Sequence, residues 1–281
     1  MATTDIQGAS LADTVWAEVI QAEVVEPLRP AMTSREFLRF AVPGPSVVAS
    51  FPLWDDPGAG AAANDATEIS STELGDTQIS ATAAEVGFRV DVTDLLSAVY
   101  PGNLVGEVGK LVADSVAEKW ETDLAALMDD FTNITTAAAT LTGVDLLAAV
   151  SALEQRDVKG PYVAYLDPKQ TGELRAEIAT TGASYAIGRD GEKVAPFGDS
   201  GYWGNYMGVP IFQTSLVVTT ASLVGGAVFA SKQALGCYEL WGPRIATQRD
   251  ESYRWLEIIG SQCYGFCEIS DTRGQTLKSA A

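Results

Sequence analysis

A serine between glycine and aspartate, two cysteines four residues apart, and adjacent aspartates are the features of this chain that could carry chemistry. Gly198-Asp199-Ser200-Gly201 has the form of a segment that presents a serine nucleophile. Such a serine needs a base to take its proton, in most cases an imidazole. The 281 residues contain no histidine. That absence also excludes His-ligated zinc, haem and non-haem iron. The tetrapeptide lies in a glycine-rich stretch where it arises readily. Cys263 and Cys267 suggest a metal or a disulfide. On a strand, residues four apart lie roughly 13 Å apart, too far for either. With Cys237 as the only other cysteine, buried free thiols are expected. Gly58 and Gly60 precede no Gly-Lys-Ser/Thr, so they form no phosphate loop. Asn133-Ile134-Thr135 fits a glycosylation sequon, but nothing in the sequence signals secretion. Asp129-Asp130 ends a helical pattern, where a solvated or partner-facing role fits better than acid–base work. No catalytic, cofactor-binding or metal-ligating set is expected, and no enzymatic activity.

Charge points the same way. The chain carries 37 acidic and 18 basic residues, a formal charge of −19. A protein that grips phosphates needs a basic face. The imbalance is concentrated: residues 1–140 hold 22 acids against 6 bases. Between Arg39 and Arg89 there is no base but seven acids, Asp55, Asp56, Asp65, Glu68, Glu73, Asp76 and Glu85. Such a segment is either a solvated surface or a strap seeking a basic partner. No basic region followed by an apolar run opens the chain, so no signal peptide is expected. The longest mostly apolar stretch, 216–230, is too short and too polar to span a bilayer.

The elements that must position these residues follow from periodicity. Val15, Val19 or Ile20, Val24 and Leu28 share a helical stripe, read either as a surface helix or as a partner-binding arm. A short strand over 46–51 leads into a tip rich in Gly, Ala, Asp and Pro. Val86, Phe88, Val90 and Val92 alternate with polar residues and mark a clear strand on the return path. Together these predict a projecting β-arm, against the alternative of an ordinary disordered loop. From Leu104 to Phe131 apolar residues recur at steps of three and four, with Asn103 as the N-cap. Twenty-eight residues give a helix of roughly 42 Å. Beyond it, Thr142 caps a helix, 162–166 reads as a buried strand, and Asp167-Pro168 opens another helix. Residues 180–206 read as one long loop, and 209–214 and 226–231 as strands. Three further strands are expected over 244–248, 253–259 and 262–269, the last two interior, followed by a polar tail from Asp271 at the surface.

Three stretches in this order carry a resemblance. They are Val86–Val92 running through 93–98 into the helix from Asn103, then Gly201-Tyr-Trp-Gly-Asn-Tyr-Met-Gly-Val-Pro-Ile-Phe, then Gly226-Ala-Val-Phe-Ala-Ser-Lys-Gln-Ala-Leu-Gly. The chain resembles the major capsid proteins of tailed bacteriophages, which share the HK-ninety-seven fold. That implies an α+β fold divided into an N-terminal arm (1–42), an extended β-loop (43–92), a peripheral domain with a spine helix (93–141), an axial domain (142–240), and return strands with a tail (241–281). It implies a structural subunit that assembles into hexamers and pentamers of an icosahedral head around double-stranded DNA, in the virion, after assembly in the host cytoplasm. Separate scaffolding and portal proteins are implied partners, with a cementing protein as an option, and no membrane or cofactor.

Two departures refine this picture. The first lysine is Lys110, so the lysine–asparagine crosslink that the namesake makes from its extended loop cannot form here. About 40 residues precede the first loop strand, too few for a fused scaffolding domain, so the scaffold is expected to be separate. The acidic segment is then expected to meet a neighbour's bases. The contact candidates are Asp55, Asp56, Glu68, Glu73, Asp76 and Glu85 on one side and Arg244, Arg249 and Arg254 on the other. An encapsulin-like compartment is the alternative reading, and a soluble hydrolase using Ser200 or a carboxylate pair a remote one.

Overall fold

A computed structural model describes residues 4–6, 34–60, 71, 73–100, 103–137, 139–181, 202–206, 208–220 and 223–280. The expected N-terminal helix, residues 61–70 of the acidic tip including Asp65 and Glu68, and Ser200 lie outside them.

The long helical stripe forms the helix it predicts. We label it α2, Leu104–Asp129, after a short α1, Asp94–Val99. The Asn103 side chain accepts from the Gly106 amide and caps α2. Val108, Val112, Val116, Trp120, Leu124 and Met128, each four residues apart, are all buried. One face of α2 is therefore buried along about 39 Å, its first turns on the sheet described next and its last turns also against the second sheet.

That sheet has five strands in the order β1-β5-β12-β11-β2. They are β1 (Thr4–Ile6), β2 (Arg39–Phe40), β5 (Ala84–Thr93), β11 (Leu235–Asp250) and β12 (Trp255–Glu268). β12 lies antiparallel between β5 and β11. Its two-faced apolar pattern follows from that interior place. Gly260 of β12 sits directly under α2, where a Cβ would come 2.6 Å from Val112 Cγ1.

The second sheet has six strands in the order β6-β13-β10-β7-β9-β8. These are β6 (Ile134–Thr136), β7 (Tyr162–Leu166), β8 (Tyr202–Tyr206), β9 (Val209–Gln213), β10 (Leu223–Ala230) and β13 (Gly274–Ala280). Helices α3 (Gly143–Glu154) and α4 (Pro168–Thr181) belong to this half. Thr142 and Asp145 form a reciprocal capping box at α3. Asp167 accepts from the Lys169 amide at the start of α4. Leu146, Ala149, Leu153, Leu166, Leu174 and Ile211 fill the core between them.

Four sequence expectations change. The outgoing strand β3 (Val48–Trp54) pairs with β4 (Asp76–Thr82), so the arm is a separate two-stranded ribbon. The strand at 86–92 belongs to the five-stranded sheet instead. β4 reads Asp-Thr-Gln-Ile-Ser-Ala-Thr, and with most of both faces exposed it has no alternation to reveal it. Residues 244–248 continue one strand from Leu235, and 253–269 hold one strand interrupted by nothing but its preceding turn. Tyr202–Tyr206 is a strand rather than the end of a loop. The polar tail is β13, largely buried between β6 and β10. Its Gln275, Thr276 and Ser279 are buried with hydrogen-bond partners, so polar sequence does not mean surface here.

Candidate assembly surfaces

The ribbon is anchored at its base. Phe51 and Ala81 turn inward and pack with Ala83 on Tyr238, Cys263, Cys267 and Ile269, on the face of the five-stranded sheet away from α2. The Ala83 amide donates to the Val47 carbonyl at 2.8 Å, and the Tyr238 hydroxyl donates to the Ser46 carbonyl. Gly265 lets the ribbon approach, because a Cβ there would collide with the Thr82 carbonyl. At the far end Trp54 is 65% exposed and Leu74 51% exposed. Around them stand Asp55, Asp56, Glu73 and Asp76, all exposed. The Asp55 amide donates to the Gly75 carbonyl at 3.0 Å and holds the two strands together.

The three candidate arginines share the distal hairpin of β11 and β12, with different surroundings. Arg249 is bidentate to Asp94 at 2.9 and 2.7 Å and also pairs with Glu251 at 2.7 Å. These carboxylates push its pKa up. Its charge is therefore already answered within the chain. Arg244 is exposed and its guanidinium lies 4.4 Å from the centre of the Trp241 ring. Arg254 is exposed in the turn with φ 58, and its carbonyl accepts from the Asp94 amide. Arg244 and Arg249, five apart on one strand, face opposite sides of the sheet. Glu85 is exposed at the start of β5, opposite Cys263 in register.

Sequence reasoning missed a buried carboxylate. Glu121 on α2 is 2% exposed. It accepts from the Ser34 amide at 3.2 Å, the Ser34 hydroxyl at 2.6 Å and the Tyr165 hydroxyl at 2.7 Å. The Trp120 indole donates to Ser34 Oγ. Burial and the facing carboxylate raise the Tyr165 pKa well above its ordinary value. One side chain thus ties the segment at 34–40, the spine helix and the six-stranded sheet together. Arg35 adds a cation over the Trp120 and Phe40 rings, at 5.0 and 5.5 Å.

The cysteines are free and buried. Burial pushes the Cys237 thiol up, and that of Cys267 up to about 11. No cluster among the described residues has the donors for a metal ion, and none of their helices is long and apolar enough to cross a membrane.

The arrangement has counterparts among solved structures. The head protein of Helicobacter pylori bacteriophage KHP40 superposes with a TM-score of 0.74 at 13% identity, covering 94% of this chain and 95% of that one. This chain has the phage-capsid fold. The capsid of cyanophage P-SCSP1u matches with a TM-score of 0.72 at 15% identity, over 96% and 94% of the two chains. The SrpI encapsulin of Synechococcus elongatus matches at 0.67 and 14%, over 97% and 95%. No family model and no curated protein matches the sequence. The capsid fold explains the order of parts: ribbon, spine helix on the five-stranded sheet, and six-stranded sheet with flanking helices.

Proposed function

We propose that this chain is the major shell protein of a tailed-phage head. Its copies form hexamers and pentamers that close into an icosahedral shell around double-stranded DNA. The observation that carries this reading is the match of the whole chain, over more than nine-tenths of both partners, to phage capsid structures. The work is geometric, so no residue is assigned a catalytic role. The five-stranded sheet and α2 form a rigid plate. The anchored ribbon projects from it toward a neighbour, and the half built on the six-stranded sheet faces the capsomer centre.

The contact between copies places the acidic tip against bases of the next subunit. Asp55, Asp56, Glu73 and Asp76 supply the charge, with Glu68 and Glu85 completing the acidic segment. Arg244 and Arg254 are the better receivers, because Arg249 is held by Asp94 and Glu251. Long-range attraction steers such docking and fixes its register more than it adds affinity. The shell holds without a lysine crosslink from the ribbon, since the first lysine is Lys110. A separate scaffolding protein, a portal and a cementing protein would complete assembly.

The encapsulin match favours a second reading, a compartment around a protein cargo. Particle contents decide between them. Nucleic acid inside native shells supports the head, and a protein cargo without DNA supports the compartment.

A further inference from the structure

Two short passages join the ribbon to the rest of the chain. On the outgoing side Ala83 leads straight into β5, with the Thr82 carbonyl pressed over Gly265. On the incoming side the chain leaves the five-stranded sheet at Ala41, whose amide donates to the Cys237 carbonyl at 2.9 Å. It reaches the first rung of the ribbon at Val47, whose carbonyl accepts from Ala83. Between these points lies Val42-Pro43-Gly44-Pro45-Ser46, exposed throughout. Rings fix φ at Pro43 and Pro45. Gly44 is the residue between them that no ring restrains. A Cβ there would meet nothing within 4 Å, and its φ is not positive. The folded state therefore does not require a glycine at 44. Motion about that residue does.

Tyr238 holds this glycine. Its hydroxyl accepts from the Gly44 amide at 3.3 Å, lies 3.3 Å from the Gly44 carbonyl, and donates to the Ser46 carbonyl. Among the described residues, these are the hydrogen bonds that tie 42–46 to the body of the chain. The Tyr238 ring is buried in the cluster that receives Phe51, Ala81 and Ala83. Apolar packing keeps the ribbon on the sheet, but it is non-directional. Hydrogen bonds prefer a narrow range of angles, so the hydroxyl sets the direction in which the ribbon leaves. Tyr238 lies opposite Gly265 in register, so its hydroxyl and the Thr82 contact both act at the root. The ribbon end at Trp54 and Asp76 is roughly 20 Å out along the strands, and a turn of about 10° at the root moves it by about 3 Å.

We propose that Pro43-Gly44-Pro45 is a hinge and the Tyr238 hydroxyl is its latch. Latched, the ribbon keeps one angle in the free subunit. Unlatched, it takes the angle that a neighbouring copy imposes. The loop is exposed, so water replaces both partners when the latch opens. The two prolines limit what the loop gains in freedom by opening, which keeps the latch closed in the free chain. The use of the hinge rests on the shell reading, in which hexamers and pentamers set copies at different angles. The hinge itself belongs to one chain and is tested there, so its failure is separate from that of the shell.

Spin labels on the unassembled full-length subunit test it, one at Gln78→Cys on the ribbon and one at Ala126→Cys on α2, both exposed positions. The native cysteines are buried and stay unlabelled. Pulsed dipolar spectroscopy should give one narrow distance distribution for this labelled protein. Tyr238→Phe keeps the ring and removes the latch, and should broaden the distribution by about 3 Å or more. Tyr264→Phe removes a second phenol hydroxyl, the one that donates to Asp123 at 2.8 Å, and should leave it narrow. Pro43→Ala with Pro45→Ala, confined to the exposed loop, raises the freedom gained on opening and should broaden it in the same sense. An unchanged distribution in Tyr238→Phe, or in the double proline variant if Tyr238→Phe does not fold, would overturn the proposal. So would equal broadening by Tyr264→Phe, or a distribution already broad with Tyr238 in place.

Discussion

Glu121 carries a carboxylate into the interior and is satisfied there by donors from Ser34 and Tyr165. Replacing it with leucine strands those donors, each of which costs about 1–3 kcal/mol when buried unpaired. Glu121→Leu should therefore destabilise the subunit by about 3 kcal/mol in urea, and Glu121→Gln by about 1 kcal/mol. This residue was not legible in the sequence. A single Glu beside Trp120 has no spacing signal, and its partners lie 87 and 44 positions away. The cysteines were legible, because a strand spacing that forbids a disulfide leaves buried thiols as the residual reading. With the Cys267 pKa near 11, only about one thiol in a thousand is ionised at pH 8. Thiol reagents should leave the three cysteines of the native protein unmodified and label all of them after denaturation.

At the level of elements, strong periodicity was readable and weak periodicity was not. The spine helix shows its buried stripe and its cap in sequence, and it forms where expected. β4 and β13 do not show themselves. One is polar because it is exposed, and the other is polar although it is buried. Close approach is the second thing a pattern cannot reveal. Gly260 under Val112 and Gly265 under Thr82 are ordinary strand glycines until a helix and a ribbon are laid over them. Gly265→Ala must push the ribbon off the sheet, at a cost of about 1–3 kcal/mol. Limited proteolysis should then cut the β3–β4 ribbon several times faster than in wild type, while the spine helix stays protected. Equal cleavage rates would show that the ribbon does not rely on that contact.

On the scale of the whole molecule, the charge of −19 is unevenly distributed, with 22 of the acids in residues 1–140. The ribbon end contributes exposed acids with no base among them, and the distal hairpin offers Arg244 and Arg254. Reversing both arginines to glutamate should abolish closed particles while leaving the subunit folded by circular dichroism, because exposed charges contribute little to its own stability. Raised salt should slow assembly of the wild type by screening the same attraction. The measurement that bears most directly on the shell reading is electron microscopy of particles purified from the native source, with their contents analysed. Uniform closed polyhedral shells made of this chain and filled with DNA are the expected result. A chain that stays monomeric there, with no shells at any concentration, would contradict it.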